Sequence, residues 1–204
     1  MNTLSYSIII ITIIGIISVL IYSFPNNTAF AINNFTNYTN VKHNIEFQYP
    51  SDWEITEKTS RFDEGADISI DSNSITAKGY ISIIHIDNLI EEFGTKDLRT
   101  SLFTFFKQAI TNDYSREYRI IEQPSFTTID GEDTGTFLYT DEDKYEDYAI
   151  KWARQYWLLF KNDQGYIIAY SSSADTFDKP ENIEIRDKFI NSIKFINQTN
   201  TTLQ

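Results

Sequence analysis

The chain has 204 residues, no cysteine and a formal net charge of -12 at neutral pH. A chain without cysteine has no disulfide, no thiol nucleophile and no Cys-ligated metal. The acidic balance argues against binding to a nucleic-acid backbone or docking on an anionic membrane surface, because both need a basic patch.

Every charged side chain lies between Lys42 and Lys194. That window of about 150 residues is the size of one ordinary domain. The flanks are uncharged and rich in Asn and Thr. The sequence therefore predicts one domain at 42–196, with flexible tails at 32–41 and 197–204.

The N-terminal segment has the order of an export signal. Residues 7–24 are almost all Ile, Leu or Val, Pro25 follows, and Ala29-Phe30-Ala31 comes next. An apolar stretch, a helix breaker and an A-x-A site are typical of a secretory signal peptide, here cleaved after Ala31. The region before it has no Lys or Arg, and the apolar run approaches the ~18 residues that span a bilayer, so an uncleaved membrane anchor is the alternative. Both interpretations of residues 1–31 place the domain outside the cytoplasm, in contact with a membrane only through an uncleaved segment.

Five N-x-[ST] sequons lie outside the charged window, at Asn26, Asn34, Asn37, Asn197 and Asn200. In an exported protein such sites are candidates for N-glycosylation. The alternative is that tails rich in Asn and Thr contain sequons by chance.

The first half of the domain alternates between apolar and polar residues. This pattern predicts strands at 45–49 and 53–55, on either side of Pro50, and a strand pair at 68–70 and 80–86. The period then changes to that of an amphipathic helix over 96–112, with Thr95 as its N-cap.

The second half is also rich in strands. Alternation predicts strands at 125–129 and 134–140, and a long aromatic hairpin joins 150–160 to 166–172. Its connection at 162–165 matches a four-residue turn with Gly165 at positive φ. A second helix is predicted to begin at Asp178-Lys-Pro-Glu181. Strands dominate, so the pattern favours an α+β domain, with a mainly antiparallel sheet and helices on its faces.

The opening of the domain resembles the PsbP-like superfamily. Tyr38 precedes Ile45-x-Phe47-x-Tyr49-Pro50-Ser51-x-Trp53, a strand that ends in a Pro-x-x-Trp pattern. Ile129-x-Gly131, the aromatic hairpin and the closing Ser192-Ile-Lys-Phe195 recur in that superfamily in the same order. The resemblance spans 38–196.

The resemblance implies an α/β/α sandwich, a central antiparallel sheet covered by helices on both faces. Members include extrinsic photosystem II subunits, a nuclear-transport factor that binds the GTPase Ran, and exported prokaryotic proteins. None is a well-established enzyme. The motif further implies that Trp53 is buried beside the sheet and that Glu54 faces outward.

Two groups of side chains are weak candidates for a metal site. The densest acidic run, at 141–147 between two strands, could offer oxygen ligands to Ca²⁺ but lacks the EF-hand pattern, so a solvated charged loop is the favoured interpretation. The candidate ligands in it are Asp141, Asp143, Glu146 and Asp147. His85 and Asp87 share a strand face, but a metal site needs three or more ligands, so a structural histidine is favoured there.

No G-x-S-x-G, P-loop or H-E-x-x-H motif occurs in the sequence. No catalytic residue or resident cofactor is predicted. The leading hypothesis is a non-enzymatic binding or assembly module that docks onto a protein partner at the membrane or cell envelope. The alternatives are a small extracytoplasmic hydrolase with a carboxylate pair, and a structural component of the envelope.

Overall fold

The computed structural model describes residues 34–57, 66–72, 79–111, 117–144 and 149–196. All of them belong to one compact unit, 32–204. The predicted signal peptide or anchor at 1–31 and the predicted tail at 197–204 lie outside the described residues. Strands make up 57% and helices 23% of the residues described.

A seven-stranded antiparallel sheet forms the centre of the domain. From one edge to the other, the strands are β3 (Trp53–Glu57), β4 (Ile68–Ser72), β5 (Gly79–Ile86), β9 (Gln164–Ser173), β8 (Ala149–Lys161), β7 (Glu132–Lys144) and β6 (Tyr118–Ile129). This spatial order differs from the chain order, because β5 pairs with β9 rather than with β6.

A second sheet has three strands in the order β1, β2, β10: β1 (Phe35–Asn40), β2 (Ile45–Pro50) and β10 (Lys194–Phe195). The prediction of a flexible tail at 32–41 is therefore wrong for the residues of β1. Their polar sequence is stabilised by antiparallel pairing with β2, and Phe35 and Tyr38 pack against the core.

Three helices lie within the described residues: α1 (Leu89–Phe93), α2 (Leu98–Thr111) and α3 (Pro180–Ser192). None of them has the length and hydropathy that crossing a membrane requires. Asn88 caps α1 by accepting a hydrogen bond from the Glu91 backbone, and Gly94 ends it at a φ of 71°. For α2 the capping side chain is Asp97, which accepts from Thr100 N at 2.8 Å, rather than the predicted Thr95.

Each face of the seven-stranded sheet carries its own hydrophobic core. The first core includes Ile81, Trp157 and Tyr170 from the sheet, packed against Phe189 of α3 and Phe47 of β2. The second includes aromatic and aliphatic residues of β7, β8 and β9, packed against α1 and α2: Phe137, Tyr139, Leu158, Ile167, Leu89, Phe93 and Leu102.

The predicted α/β/α sandwich, with a sheet covered by helices, is wrong. The molecule is mostly antiparallel sheet, and a second sheet shares with α3 the covering of one face. The physical reason is width: seven strands at about 4.8 Å spacing form a sheet much wider than the roughly 10 Å that a single helix, α3, covers on that face. The three-stranded sheet supplies the rest of that layer.

Two local predictions have different outcomes. Trp53 is buried, at 9% exposed, and its indole packs over Gly79, while Glu54 is exposed, as the opening motif implied. The predicted four-residue turn is wrong: Gly165 is paired in β9, and Asn162 and Asp163 hold positive φ values of 51° and 64°. A two-residue turn with both φ values positive matches the twist of the flanking strands.

Candidate functional site

A groove opens over the face of the sheet that carries α1 and α2. It lies beside α1 and α2 and above β5, β9, β8 and β7, with a volume of about 610 Å³. Sites for small ligands commonly have volumes of about 300–1,000 Å³. We call it the acidic groove and define it by Asp87, Glu91, Glu92, Phe105, Gln108, Tyr139 and Tyr156.

Three carboxylates line the acidic groove. Asp87 follows β5 directly, and Glu91 and Glu92 lie in the first turn of α1. All three are exposed, and Asp87 has 86% of its side chain open to solvent. No Lys or Arg occurs among the described residues that line the groove. The groove therefore presents negative charge without a matching cation in its wall.

Aromatic rings form the inner wall of the groove. The rings of Tyr139 and Tyr156 are stacked, with centroids 6.0 Å apart and an interplanar angle of 2°. Phe105 of α2 meets Tyr156 edge-on at 5.3 Å. Burial, together with the neighbouring Tyr156, raises the pKa of Tyr139, so this phenol stays neutral in the physiological range.

A large apolar side chain also lines the groove. Ile84 on β5 is 36% exposed there. Together with the rings and the carboxylates, it suits a group that is cationic at one end and apolar along its length. Ammonium and guanidinium groups bind aromatic faces and carboxylates in this way.

A solvated loop was the favoured interpretation of the acidic run at 141–147, and it is wrong for the first acids of that run. Asp141 and Asp143 belong to β7, and Asp141 is 6% exposed. Arg154 on β8 donates from Nε to both carboxylate oxygens of Asp141, at 2.9 and 3.0 Å, and its guanidinium lies 3.4 Å from Asp143. The antiparallel register causes this, because it sets Arg154 diagonally across from Asp141.

The contacts of Arg154 occupy carboxylate oxygens of two calcium candidates, Asp141 and Asp143. Burial opposes the charge of Arg154, but the hydrogen bond and the charge of Asp141 hold the pKa of Arg154 above its ordinary value. A calcium ion at this position would compete with a guanidinium for the same oxygens. The other two candidates, Glu146 and Asp147, lie outside the described residues.

The two residues of the second metal candidate, His85 and Asp87, contact each other, but they are too few to hold a metal ion. His85 Nδ1 lies 3.4 Å from Asp87 Oδ1, as their shared strand face predicted. Within the part of the chain that the structure describes, no group of three or more His, Cys, Asp or Glu side chains could hold a metal ion.

Two of the five predicted glycosylation sites lie in the described residues. Asn34 and Asn37 are both exposed, and Asn37 accepts a hydrogen bond from Gln48 Nε2 at 2.9 Å. The other three, Asn26, Asn197 and Asn200, lie outside the described residues.

Comparison with solved structures identifies the architecture. The chain is similar to cyanobacterial PsbP (CyanoP) from Synechocystis sp. PCC 6803, with a TM-score of 0.54 and 16% identity, over 84% of this chain and 98% of that protein. The fold is PsbP-like. LpqN, described as involved in cell envelope biogenesis of Mycobacterium tuberculosis, has a TM-score of 0.50 and 11% identity, over 80% of this chain and 91% of LpqN.

The PsbP-like fold confirms the resemblance drawn from the opening motif, although the predicted layers were wrong. At these identities the likeness establishes the fold alone. No protein-family model matches the sequence, and no curated protein matches it.

Sequence reasoning missed the acidic groove. Its carboxylates at positions 87, 91 and 92 and its tyrosines at 139 and 156 are distant in the chain. They meet because β9 lies between β5 and β8. The one local signal was Asn88 three residues before Glu91, which marks the N-terminus of α1.

Proposed function

We propose that this protein is an exported, non-enzymatic binding module that docks onto a protein partner at the membrane or cell envelope. In this proposal the acidic groove receives a basic, partly apolar segment of that partner. The observation that carries the proposal is the groove itself, with exposed carboxylates over an aromatic wall and no cation among its described lining residues.

Charge complementarity selects the occupant. The chain carries 29 acidic against 17 basic side chains, so a second copy of it would be repelled. Its uncharged terminal tails would not neutralise the rim. A lysine or arginine with an apolar neighbour matches the groove: the charge meets Glu91 and Glu92, and the apolar part meets Ile84.

The same carboxylates favour binding over hydrolysis. A carboxylate-pair hydrolase needs one acid kept protonated by burial and a second carboxylate facing it across the scissile bond. Asp87, Glu91 and Glu92 are exposed, and the two glutamates are consecutive on one helix. This arrangement suits the attraction of a cation.

Two further features support an extracytoplasmic location. The sequence has the order of an export signal at 1–31. One protein with a similar fold, LpqN, is described as involved in cell envelope biogenesis.

The first test measures binding of a short synthetic peptide of Lys and Leu, and of the same peptide with Glu in place of Lys, by calorimetry. We expect the basic peptide alone to bind. The double substitution Glu91→Lys/Glu92→Lys should weaken binding at least about tenfold, because it inverts the rim charge. The matched control is Asp52→Lys/Glu54→Lys, which changes the net charge equally at exposed sites of the turn before β3 and of β3.

An equal loss in both double variants would mean that net charge alone attracts the peptide, and unchanged binding in both would remove the groove from the proposal.

A second test places a photo-crosslinking residue at Gln108, which is exposed in the groove, or at Val41, which is 69% exposed in the β1–β2 loop. Capture in native membranes from Gln108 alone, lost in the Glu91→Lys/Glu92→Lys background, supports docking. Hydrolytic turnover lost in Glu91→Gln would overturn the non-enzymatic assignment.

A further inference from the structure

The chain contains two histidines, and the fold brings them together. His43 lies in the loop between β1 and β2, and His85 lies on β5. Their ring centroids are 5.2 Å apart at an angle of 61°. Both are buried: His43 is 6% exposed, and the side chain of His85 is also 6% exposed.

The pair sits where the two sheets meet. Tyr166 of β9 donates its hydroxyl to the backbone carbonyl of His43 at 3.0 Å. The ring of Tyr166 lies 5.1 Å from that of His85 and 4.8 Å from that of Phe195 on β10. The histidines therefore join the loop of the three-stranded sheet to the central strands of the seven-stranded sheet.

Each ring has a buried nitrogen without a hydrogen-bond partner among the described residues, Nδ1 of His43 and Nε2 of His85. Buried polar atoms are normally hydrogen-bonded. A neutral imidazole can leave one nitrogen as an unused acceptor, whereas a protonated ring must donate from both nitrogens. The surroundings of the His43 ring therefore favour its neutral form.

Some charged groups around the pair raise the pKa of His43, and others lower it. Burial lowers the pKa of His43 most strongly; His85 and Lys42 lower it further, while Asp67 and Glu57 oppose the shift. Asp87, beside His85 Nδ1, can pair with a protonated His85. The Asp67 carboxylate also accepts a hydrogen bond from His85 N at 2.7 Å, which fixes it close to the pair.

We propose that His43 and His85 form an acid-sensitive latch that holds the β1–β2 hairpin against the seven-stranded sheet while His43 is neutral. A proton on His43 places a cation in a buried seam, in contact with the ring of His85 and with no hydrogen-bond partner for Nδ1 among the described residues. The opening is local, because β8 and β9 keep their own pairing and core.

The difference in proton binding between the open and closed forms fixes the direction in which pH changes the opening of the hairpin. An unfolded or detached loop exposes His43, whose pKa then returns toward about 6.5. Below that pH the open form binds more protons than the closed form, so acid favours opening, and above it the two forms bind equally. The hairpin should be most secure at neutral and alkaline pH.

The test compares amide hydrogen exchange at 35–50 with that at 149–173, corrected for the intrinsic pH dependence of exchange. Between pH 7.5 and pH 5.0, protection of the hairpin should fall about tenfold while the β8–β9 amides change little. The double variant His43→Phe/His85→Phe, which keeps two rings without titration, should abolish the difference. The same pH response in that variant would overturn the latch.

Imidazole NMR of the unsubstituted protein keeps the proposal testable if the variant does not fold, because two histidines give two assignable signals. The His43 signal should titrate below the ordinary histidine range, together with the loss of hairpin protection. Two ordinary titrations with constant protection would overturn the proposal. A response that appears only with added zinc and vanishes with EDTA would also overturn it, since the pair would then be a metal ligand.

Discussion

The two faces of the seven-stranded sheet are covered in different ways. One face meets α3 and the three-stranded sheet, and its core contains fully buried side chains such as Phe189, Ile168 and Tyr170. The other meets the short α1 and the longer α2, with half-buried aromatics such as Phe105 and Tyr156 at the margin. The acidic groove opens on that second face.

The difference shows how one sheet can serve both stability and binding. A layer made of a helix and a second sheet buries large rings such as those of Phe189 and Tyr170 completely. Two helices of unequal length leave part of the other face open, and aromatic residues that would be core become the wall of a site. Substitutions on the two faces should therefore differ in whether they mainly reduce the stability of the fold or mainly change the groove.

The largest effect is expected on the closed face. Phe189 is 0% exposed and meets Phe47 edge-on at 5.3 Å. Phe189→Ala should cost about 3–5 kcal/mol, because a large cavity remains in a core that cannot collapse. Its counterpart Phe105→Ala, at the groove, should cost less than about 3 kcal/mol, since that ring is partly solvated already. Chemical denaturation of both variants checks the ranking, and equal losses would contradict the distinction between the faces.

An intermediate effect probes how closely α2 sits on the sheet. A Cβ at Gly135 would lie 2.6 Å from Leu102 Cδ2, and Leu102 is fully buried and cannot move aside. Gly135→Ala should therefore cost about 1–3 kcal/mol through overpacking. In the Leu102→Ala background the same methyl group should fill the cavity and restore stability. Additive losses in this double-mutant cycle, followed by thermal unfolding, would show that the two sites are not coupled.

The smallest effect on stability is expected at the groove rim. Glu91→Gln and Glu92→Gln remove charge at exposed positions, so each should change the free energy of unfolding by no more than about 0.5 kcal/mol. Thermal unfolding measures this directly. A larger loss would mean that the rim supports the fold, and the peptide-binding test would then need variants elsewhere in the groove.

Much of the fold follows from local periodicity. The strands predicted at 45–49 and 80–86 and the helix predicted at 96–112 match β2, β5 and α2, because each buries one face at a regular spacing. The strand β1 was missed because only Phe35 and Tyr38 in its polar sequence reach the core, and its stability comes from pairing with β2. The helix α1 has only five residues, too few for a periodic signal.

The sites depend on pairings between distant strands, which periodicity does not encode. Nothing near His43 indicates that His85 lies against it, because the contact arises from the packing of one sheet on another. Asp141 appeared solvated for the same reason. Its partner Arg154 is specified by the register of β7 on β8. The local sequence pattern predicts the strands and helices here, whereas the order of the strands in the sheet decides which distant side chains come into contact.

The two-residue strand β10 has a consequence for how the chain matures. It completes the three-stranded sheet by pairing Lys194 with Glu46 and Phe195 with Ile45. The consecutive hairpins from β6 to β9 need only neighbouring segments and can form early, whereas pairings between distant positions close late. Until Lys194 and Phe195 arrive, β2 has an unpaired edge beside the apolar Ile45 and Phe47, which invites strand pairing with other chains. The pairing of β10 with β2 therefore also removes an edge at which aggregation could begin.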